Sequence, residues 1–251
     1  MSLLSERQLA QYRDEGYFVT APAFEPGELA EMIAEFDRLH AQCVRDADAT
    51  GEEKRIRFAR LRPFIGQAHL KSEAISRFTR APIYLEICRN FIGPDADLYY
   101  NQVVIKPPEG GLAFGWHQDS GYGITEPLEY VTCWTAIGPA FKENGCVWVI
   151  PGSHKRGLLE HVRGPESLDA VVDDERGAIP VELEPGQIAV FSSLTLHRSG
   201  PNVSKTVRRG FVPQYHVPMV RDKATGQPHG DLFPVLRGGK PVGEAVAAGR
   251  A

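Results

Sequence analysis

Along the chain the apolar positions change rhythm once, close to Asp97. Before that point they recur at helical spacing. Ser5 with Gln8 carries a capping-box signature for a short helix that Gly16 ends. After the turn residues Pro22 and Pro26, the run 28–44 sets Leu29, Met32, Ile33, Phe36, Leu39 and Cys43 on one stripe and predicts an amphipathic helix. The run 72–91 predicts another, broken by Pro82 and stopped at Gly93-Pro94. From Asp97 onward short β-rich runs take over, at 98–105, 131–137, 146–150, 188–191, 194–197 and 207–217. Turn residues separate them, among them Asn144-Gly145, Pro151-Gly152, Pro185-Gly186 and Gly200-Pro201-Asn202. Helices followed by antiparallel strands predict a mainly β fold with flanking helices, a sandwich or barrel buttressed on one side. One domain is expected over 1–251: a mainly helical buttress at 1–95 and a barrel core at 97–220. The polar stretch 161–178 reads as a surface insertion, and 238–251 as a mobile tail.

Composition narrows the class without naming it. With 251 residues, 42% hydrophobic and 24% charged, the chain is an ordinary globular one. A net charge of −4 gives no footprint for nucleic acid or an anionic membrane. No apolar stretch approaches a membrane span, and the charged N-terminal segment lacks a signal peptide's apolar run. Cys43, Cys88, Cys133 and Cys146 are scattered, as expected of reduced thiols in a cytoplasmic protein.

The chemistry concentrates at Trp116-His117-Gln118-Asp119. In extended backbone, residues i and i+2 share a side, so His117 and Asp119 can converge on one ion. Two histidines and a carboxylate make a facial triad suited to Fe(II), with three positions left open. The third ligand comes from among His40, His69, His154, His161, His197, His216 and His229. His197 stands out. If 194–199 and 206–215 form a hairpin pairing Ser199 with Thr206, His197 lies opposite Arg208, and a metal ligand and a carboxylate-binding fork enter one cavity together. A register shifted by one residue would present Arg209 instead.

These residues, with Asn144-Gly145-Cys146-Val147-Trp148-Val149-Ile150-Pro151-Gly152-Ser153-His154, His197-Arg198-Ser199-Gly200-Pro201-Asn202 and Arg208-Arg209, resemble the phytanoyl-CoA dioxygenase family. The likeness runs from about Leu4 to Tyr215. It implies a double-stranded β-helix, the jelly-roll or cupin-type barrel, and an Fe(II)- and 2-oxoglutarate-dependent oxygenase that uses O2. The implied iron ligands are His117, Asp119 and His197. Arg208 is implied at the distal carboxylate of 2-oxoglutarate, with Ser199, Trp134 and Gln102 at neighbouring positions. Decarboxylation to succinate would be coupled to C–H oxidation, either hydroxylation or oxidative cyclisation, desaturation or epimerisation. A carboxylate at Asp119 excludes halogenation, because a halide needs that position.

Plainer explanations stand beside these. Trp134 fits a core, Gln102 a half-buried strand, Ser199 a turn entry and His154 a structural turn. The basic run Lys54, Arg55, Arg57, Arg60 and Arg62 fits a solvated face as well as an anion site. Candidate substrate contacts are Arg62, Gln67, Phe114, Trp116 and Tyr122, and the expected substrate is a small molecule or secondary metabolite. The alternatives are an acyl-CoA hydroxylase, a zinc hydrolase and a cupin-type metal-binding protein without turnover.

Overall fold

The computed structural model describes residues 3–164, 167–229 and 233–243. The helical signals sit where the pattern put them. Ser5 caps the helix Glu6–Glu15 through a full capping box, and Gly16 ends it in the left-handed region. The amphipathic run lies in the longer helix Pro26–Thr50, and Ser72 caps Glu73–Phe78 ahead of the Pro82–Phe91 helix. A further helix that the pattern did not show, Glu53–Leu61, carries most of the basic run.

Two antiparallel sheets face one another. The larger runs Tyr17–Val19, Ile188–Ser192, Val131–Ala136, Arg208–His216, Ala96–Lys106, Phe233–Arg237 and Lys240–Pro241, with Phe64–Gly66 also paired to Ala96–Lys106. The smaller runs Ile179–Val181, Val147–Val149, His197–Ser199 and Phe114–His117. Alternation along the strands gives each sheet two apolar faces. The outer face of the large sheet packs Val103, Ile105, Cys133, Val190 and Phe211 under the helices, against Met32, Phe36, Ile75, Phe78 and Ile87. The facing side supplies Val104, Trp134, Ala136, Ala189 and Val212, which meet Val147 and Val149 of the small sheet across the barrel. This is the jelly-roll expected from the sequence.

Four expectations need correction. The 194–199 and 206–215 segments do not form a hairpin. His197 pairs with His117 on one side and Val149 on the other, so its strand has no free edge for Thr206. The Arg208–His216 strand lies in the opposite sheet, between Ala96–Lys106 and Val131–Ala136. The chain crosses between sheets at 200–207, where the Asn202 amide donates to Lys106 O and Thr206 O at 3.0 and 2.8 Å. The strand expected at 194–197 begins only at His197, because Leu194 and Thr195 turn back onto the hydroxyl and carbonyl of Ser192.

The 161–178 stretch is more than a surface insertion. His161–Arg163 pairs with Leu168–Ala170, and the region covers the small sheet's outer face, where Trp116, Leu196, Ala170, Val172 and Ala178 cluster. The mobile tail expected at 238–251 is also not uniform. Gly238 and Gly239 make the turn that brings Lys240–Pro241 back onto Phe233–Arg237, while 244–251 lie outside the described residues.

Gly16 has two reasons to be glycine. Its φ is +79°, and a Cβ there would come within 2.4 Å of His154 Nδ1 and 2.7 Å of Thr195 Oγ1. His154 is thus a packing residue, its Nε2 3.2 Å from Arg13 O. Gly16→Ala is expected to cost about 1–3 kcal/mol, from strain plus overpacking, read as a lowered denaturant midpoint with unchanged m-value.

Candidate active site

The pairing of His197 with His117 brings the two imidazoles together, their ring centroids 4.0 Å apart. Each ring is held by its Nδ1, which donates to a backbone carbonyl two residues earlier: His117 to Gly115 O and His197 to Thr195 O, both at 2.9 Å. A carbonyl can only accept, so these bonds fix the tautomer and leave each Nε2 lone pair free as a ligand. Burial, and then the neighbouring His197, hold the His117 pKa well below the usual imidazole value, which keeps it neutral as a metal ligand must be. Asp119 opens the short helical turn Asp119–Gly121. Its Oδ1 lies 3.8 Å from His117 Nε2 and 3.6 Å from His197 Nε2. Its Oδ2 accepts a hydrogen bond from Thr132 Oγ1 at 2.6 Å. The three ligand atoms lie within 4.8 Å of one another, and His117, Asp119 and His197 are the only such group among the described residues. Two neutral nitrogens and one carboxylate oxygen on one side of an ion, with open space on the other, suit Fe(II).

The triad opens into a cavity of about 540 Å³. At one end lies Arg208, 1% exposed. Its guanidinium stands 5.0 Å from the Trp134 ring and donates once, to Gly145 O at 3.0 Å. Its Nε and one terminal nitrogen are buried without a hydrogen-bond partner among the described residues. Burial draws its pKa down to about 10, so it remains a cation at neutral pH. A buried cation with two idle donors is costly unless a ligand supplies the acceptors. Room for the indole beside it comes from Gly210, where a Cβ would sit 2.5 Å from Trp134 Cζ2. Lys106 pairs with Arg208 across the strands, and its Nζ donates to Ser199 Oγ at 2.9 Å and to Gly200 O. Burial, then Arg208, then Arg62 push the Lys106 pKa down to about 6. This closed end fits the distal carboxylate of 2-oxoglutarate. Arg209, the next residue, faces the other way and pairs with Asp37 of the Pro26–Thr50 helix at 2.9 and 3.0 Å.

The family model described as phytanoyl-CoA dioxygenase (PhyH) matches residues 12–210. The chain belongs to that family. It is similar to phytanoyl-CoA dioxygenase domain-containing protein 1 of Danio rerio, 25% identical, covering 86% of this chain and 91% of the relative. It is also similar to a probable alpha-ketoglutarate-dependent hypophosphite dioxygenase of Stutzerimonas stutzeri, 26% identical over 82% and 76% of the two chains. Among solved structures, the apo form of the non-heme monooxygenase ThoJ superposes with a TM-score of 0.70 at 27% identity, covering 86% of this chain and 79% of that one. Like the rest of the family, this phytanoyl-CoA dioxygenase relative is an Fe(II)- and 2-oxoglutarate-dependent oxygenase.

Of the residues singled out in the sequence, Gln102, Trp134, Ser199 and Arg208 line the cavity with the triad, as do Arg62, Gln67, Phe114 and Tyr122. Trp116 does not. It precedes His117 on one strand, so its side chain leaves by the opposite face and packs with Leu196 and Ala170. The other six histidines considered stay outside the triad. His161 and His229 flank it, the first accepting from the Gln118 amide at 3.1 Å and the second 3.0 Å from the Tyr99 hydroxyl. Sequence reasoning passed over Lys106, Thr132, Tyr99 and Gln214. Period-two alternation gave a signal for three of them, since Lys106 falls on the face of Gln102, Thr132 on the face of Trp134 and Gln214 on the face of Arg208.

His117→Ala, Asp119→Ala and His197→Ala are each expected to lose stoichiometric Fe(II) binding in anaerobic equilibrium dialysis while keeping the wild-type circular dichroism spectrum. A variant that still binds one equivalent as tightly as wild type would remove that residue from the ligand set.

Proposed function

We propose that this enzyme oxidises an unactivated C–H bond of a compact, oxygen-bearing small molecule, with 2-oxoglutarate anchored at Arg208. The observation that carries the co-substrate assignment is Arg208 itself, buried, cationic and with donors to spare beside the triad. Its planar fork matches a carboxylate, Ser199 can donate its hydroxyl proton while accepting from Lys106, and the Trp134 face flanks the guanidinium. When bound, iron and 2-oxoglutarate supply the oxidising equivalents, with succinate and CO2 as co-products. What the chain itself does is hold the co-substrate in one orientation, leave part of the ion's coordination sphere open and keep bulk water out.

The remaining wall points to the substrate. Phe64, Phe114, Tyr122 and Tyr100 offer flat faces, and Gln67, Tyr99, His229 and Gln214 offer hydrogen bonds. Gln67 is held at φ 51°, a left-handed conformation unusual for glutamine, with its N–H donating to Asn101 O at 2.8 Å. Arg62, its guanidinium 5.0 Å from the Phe58 and Phe114 rings, completes this side. Such a chamber favours a small polar or aromatic molecule, such as a secondary metabolite, over a long branched acyl chain, which gains nothing from buried amides and hydroxyls. Hydroxylation is the simplest outcome. The four free cysteines and the absence, among the described residues, of a helix able to cross a membrane support a cytoplasmic enzyme.

Succinate released from 2-oxoglutarate by the Fe(II)-loaded enzyme tests the class, and a metabolite panel scored for stimulated release tests the substrate. Arg208→Ala is expected to raise the 2-oxoglutarate requirement more than tenfold, since half-breaking a buried charge-assisted pair costs about 2–5 kcal/mol. Arg209→Ala should change it little, because that side chain sits on the helix side of the sheet. Equal effects from the two variants would sink the assignment of Arg208 to the co-substrate.

A further inference from the structure

We infer that Thr132, oriented by Gln214, is a positioning residue that latches Asp119 as a one-oxygen ligand. The inference rests on the triad reading and concerns what holds the carboxylate rather than what it binds.

A carboxylate beside a metal has two equivalent oxygens and a free torsion at its end, so it can coordinate through one oxygen or through both. Here the two oxygens are made unequal. Oδ2 receives the Thr132 hydroxyl at 2.6 Å, a short bond of the charge-assisted kind, whereas Oδ1 faces both histidine nitrogens at 3.6 and 3.8 Å. A hydroxyl has one proton to give. A carboxylate can only accept, so that proton goes to Asp119, and the Thr132 oxygen accepts in turn from Gln214 Nε2 at 3.4 Å. The order of donation is therefore fixed from amide to hydroxyl to carboxylate.

The placement of this chain of bonds follows from the barrel. Gln214 and Thr132 are register partners in adjacent strands of the large sheet, both buried and both facing the cavity. Threonine is stiff about χ1, and on a strand its branched side chain is held by its neighbours. The hydroxyl thus reaches Asp119 from the sheet opposite the two histidines, and the triad is braced from both walls. Held through one oxygen, Asp119 takes one position on the ion. Released, it could rotate and chelate through both, closing a position that the co-substrate or oxygen requires. The hydrogen-bonded partners of metal-bound carboxylates and imidazoles usually contribute about tenfold to a hundredfold in metal affinity or activity.

The test uses Co(II) alone as the probe on metal-free full-length protein, its affinity read by equilibrium dialysis and its coordination by the visible d–d absorption. Thr132→Val keeps the branched shape on the strand and removes only the hydroxyl. It is expected to weaken Co(II) binding at least tenfold and to alter the d–d spectrum. Thr132→Ser, which keeps the hydroxyl, should stay within about threefold of wild type with the wild-type spectrum. Gln214→Leu should fall between the two. Denaturant midpoints of the metal-free proteins separate misfolding from the loss of the latch. Wild-type affinity and spectrum in Thr132→Val overturn the proposal, as does a loss in Thr132→Ser equal to that in Thr132→Val. Undiminished binding in Gln214→Leu overturns the part given to Gln214. His117→Ala is the control: if it too binds Co(II) like wild type, the triad reading fails, whereas its loss beside an unaffected Thr132→Val removes the latch alone.

Discussion

The pairing of His197 with His117 across the small sheet is the constraint from which the site follows. It is made of backbone hydrogen bonds, so the imidazoles are placed by the most rigid element available rather than by a loop. Neighbouring strands hold opposed residues about 4.5–5.5 Å apart at Cβ, close enough for two rings to reach one ion. The His197 strand is also paired to Val149, so neither of its edges is free, and the register irregularity toward Phe114 comes only after the His197–His117 pair. The bonds from Nδ1 to Gly115 and Thr195 then leave only the ring's other nitrogen to point inward.

The large sheet supplies what the small one lacks. Arg208 and Lys106 stand side by side at one end of its inner face, while Gln214 and Thr132 lie about six residues along, roughly 20 Å of extended strand. Arg208 thus stands toward one end of that face, and the groups that hold the metal's carboxylate stand nearer its middle. Two adjacent buried cations repel one another, which is part of why the Lys106 amine is driven toward its neutral form while Arg208 keeps its charge. In the proposed reading a dianionic co-substrate would relieve that arrangement, and the energy of filling the pocket would come with orientation built in.

Outside the barrel, packing protects the site without touching it. The helices bury the outer face of the large sheet, and the 161–178 region buries Trp116 and Leu196 behind the small one. Gln118, between the two ligands in sequence, turns away from the cavity: its side chain donates to Gly157 O and Leu194 O at 2.8 and 2.7 Å and accepts from Leu159 N–H at 2.8 Å, and its backbone N–H donates to His161 Nε2 of the cover at 3.1 Å. Alternation along one strand therefore gives His117 to the metal and its neighbours Trp116 and Gln118 to the scaffold.

What the sequence determined by itself was local or chemical. The capping box at Ser5, the stripe from Leu29 to Cys43 and the break at Pro82 follow from short-range periodicity and backbone sterics, and they appear in place. His117 and Asp119 stood out by their i, i+2 spacing, a weak signal alone, whereas His197 and Arg208 were singled out by a hairpin that the fold does not form and by the ordered motifs shared with the family. Tertiary structure decided how they meet. His197 and Arg208 are only eleven residues apart, and local reasoning made them hairpin partners; the fold instead sends the chain across the barrel between them, so they converge from opposite sheets. Nothing in the residues 200–207 distinguishes a hairpin turn from a crossover, since both need the same glycine, proline and asparagine. The choice depends on which strands are already paired, and that is a property of the whole barrel. For the same reason Thr132 and Gln214, more than eighty residues apart, carried no sign in the sequence that they would meet at Asp119.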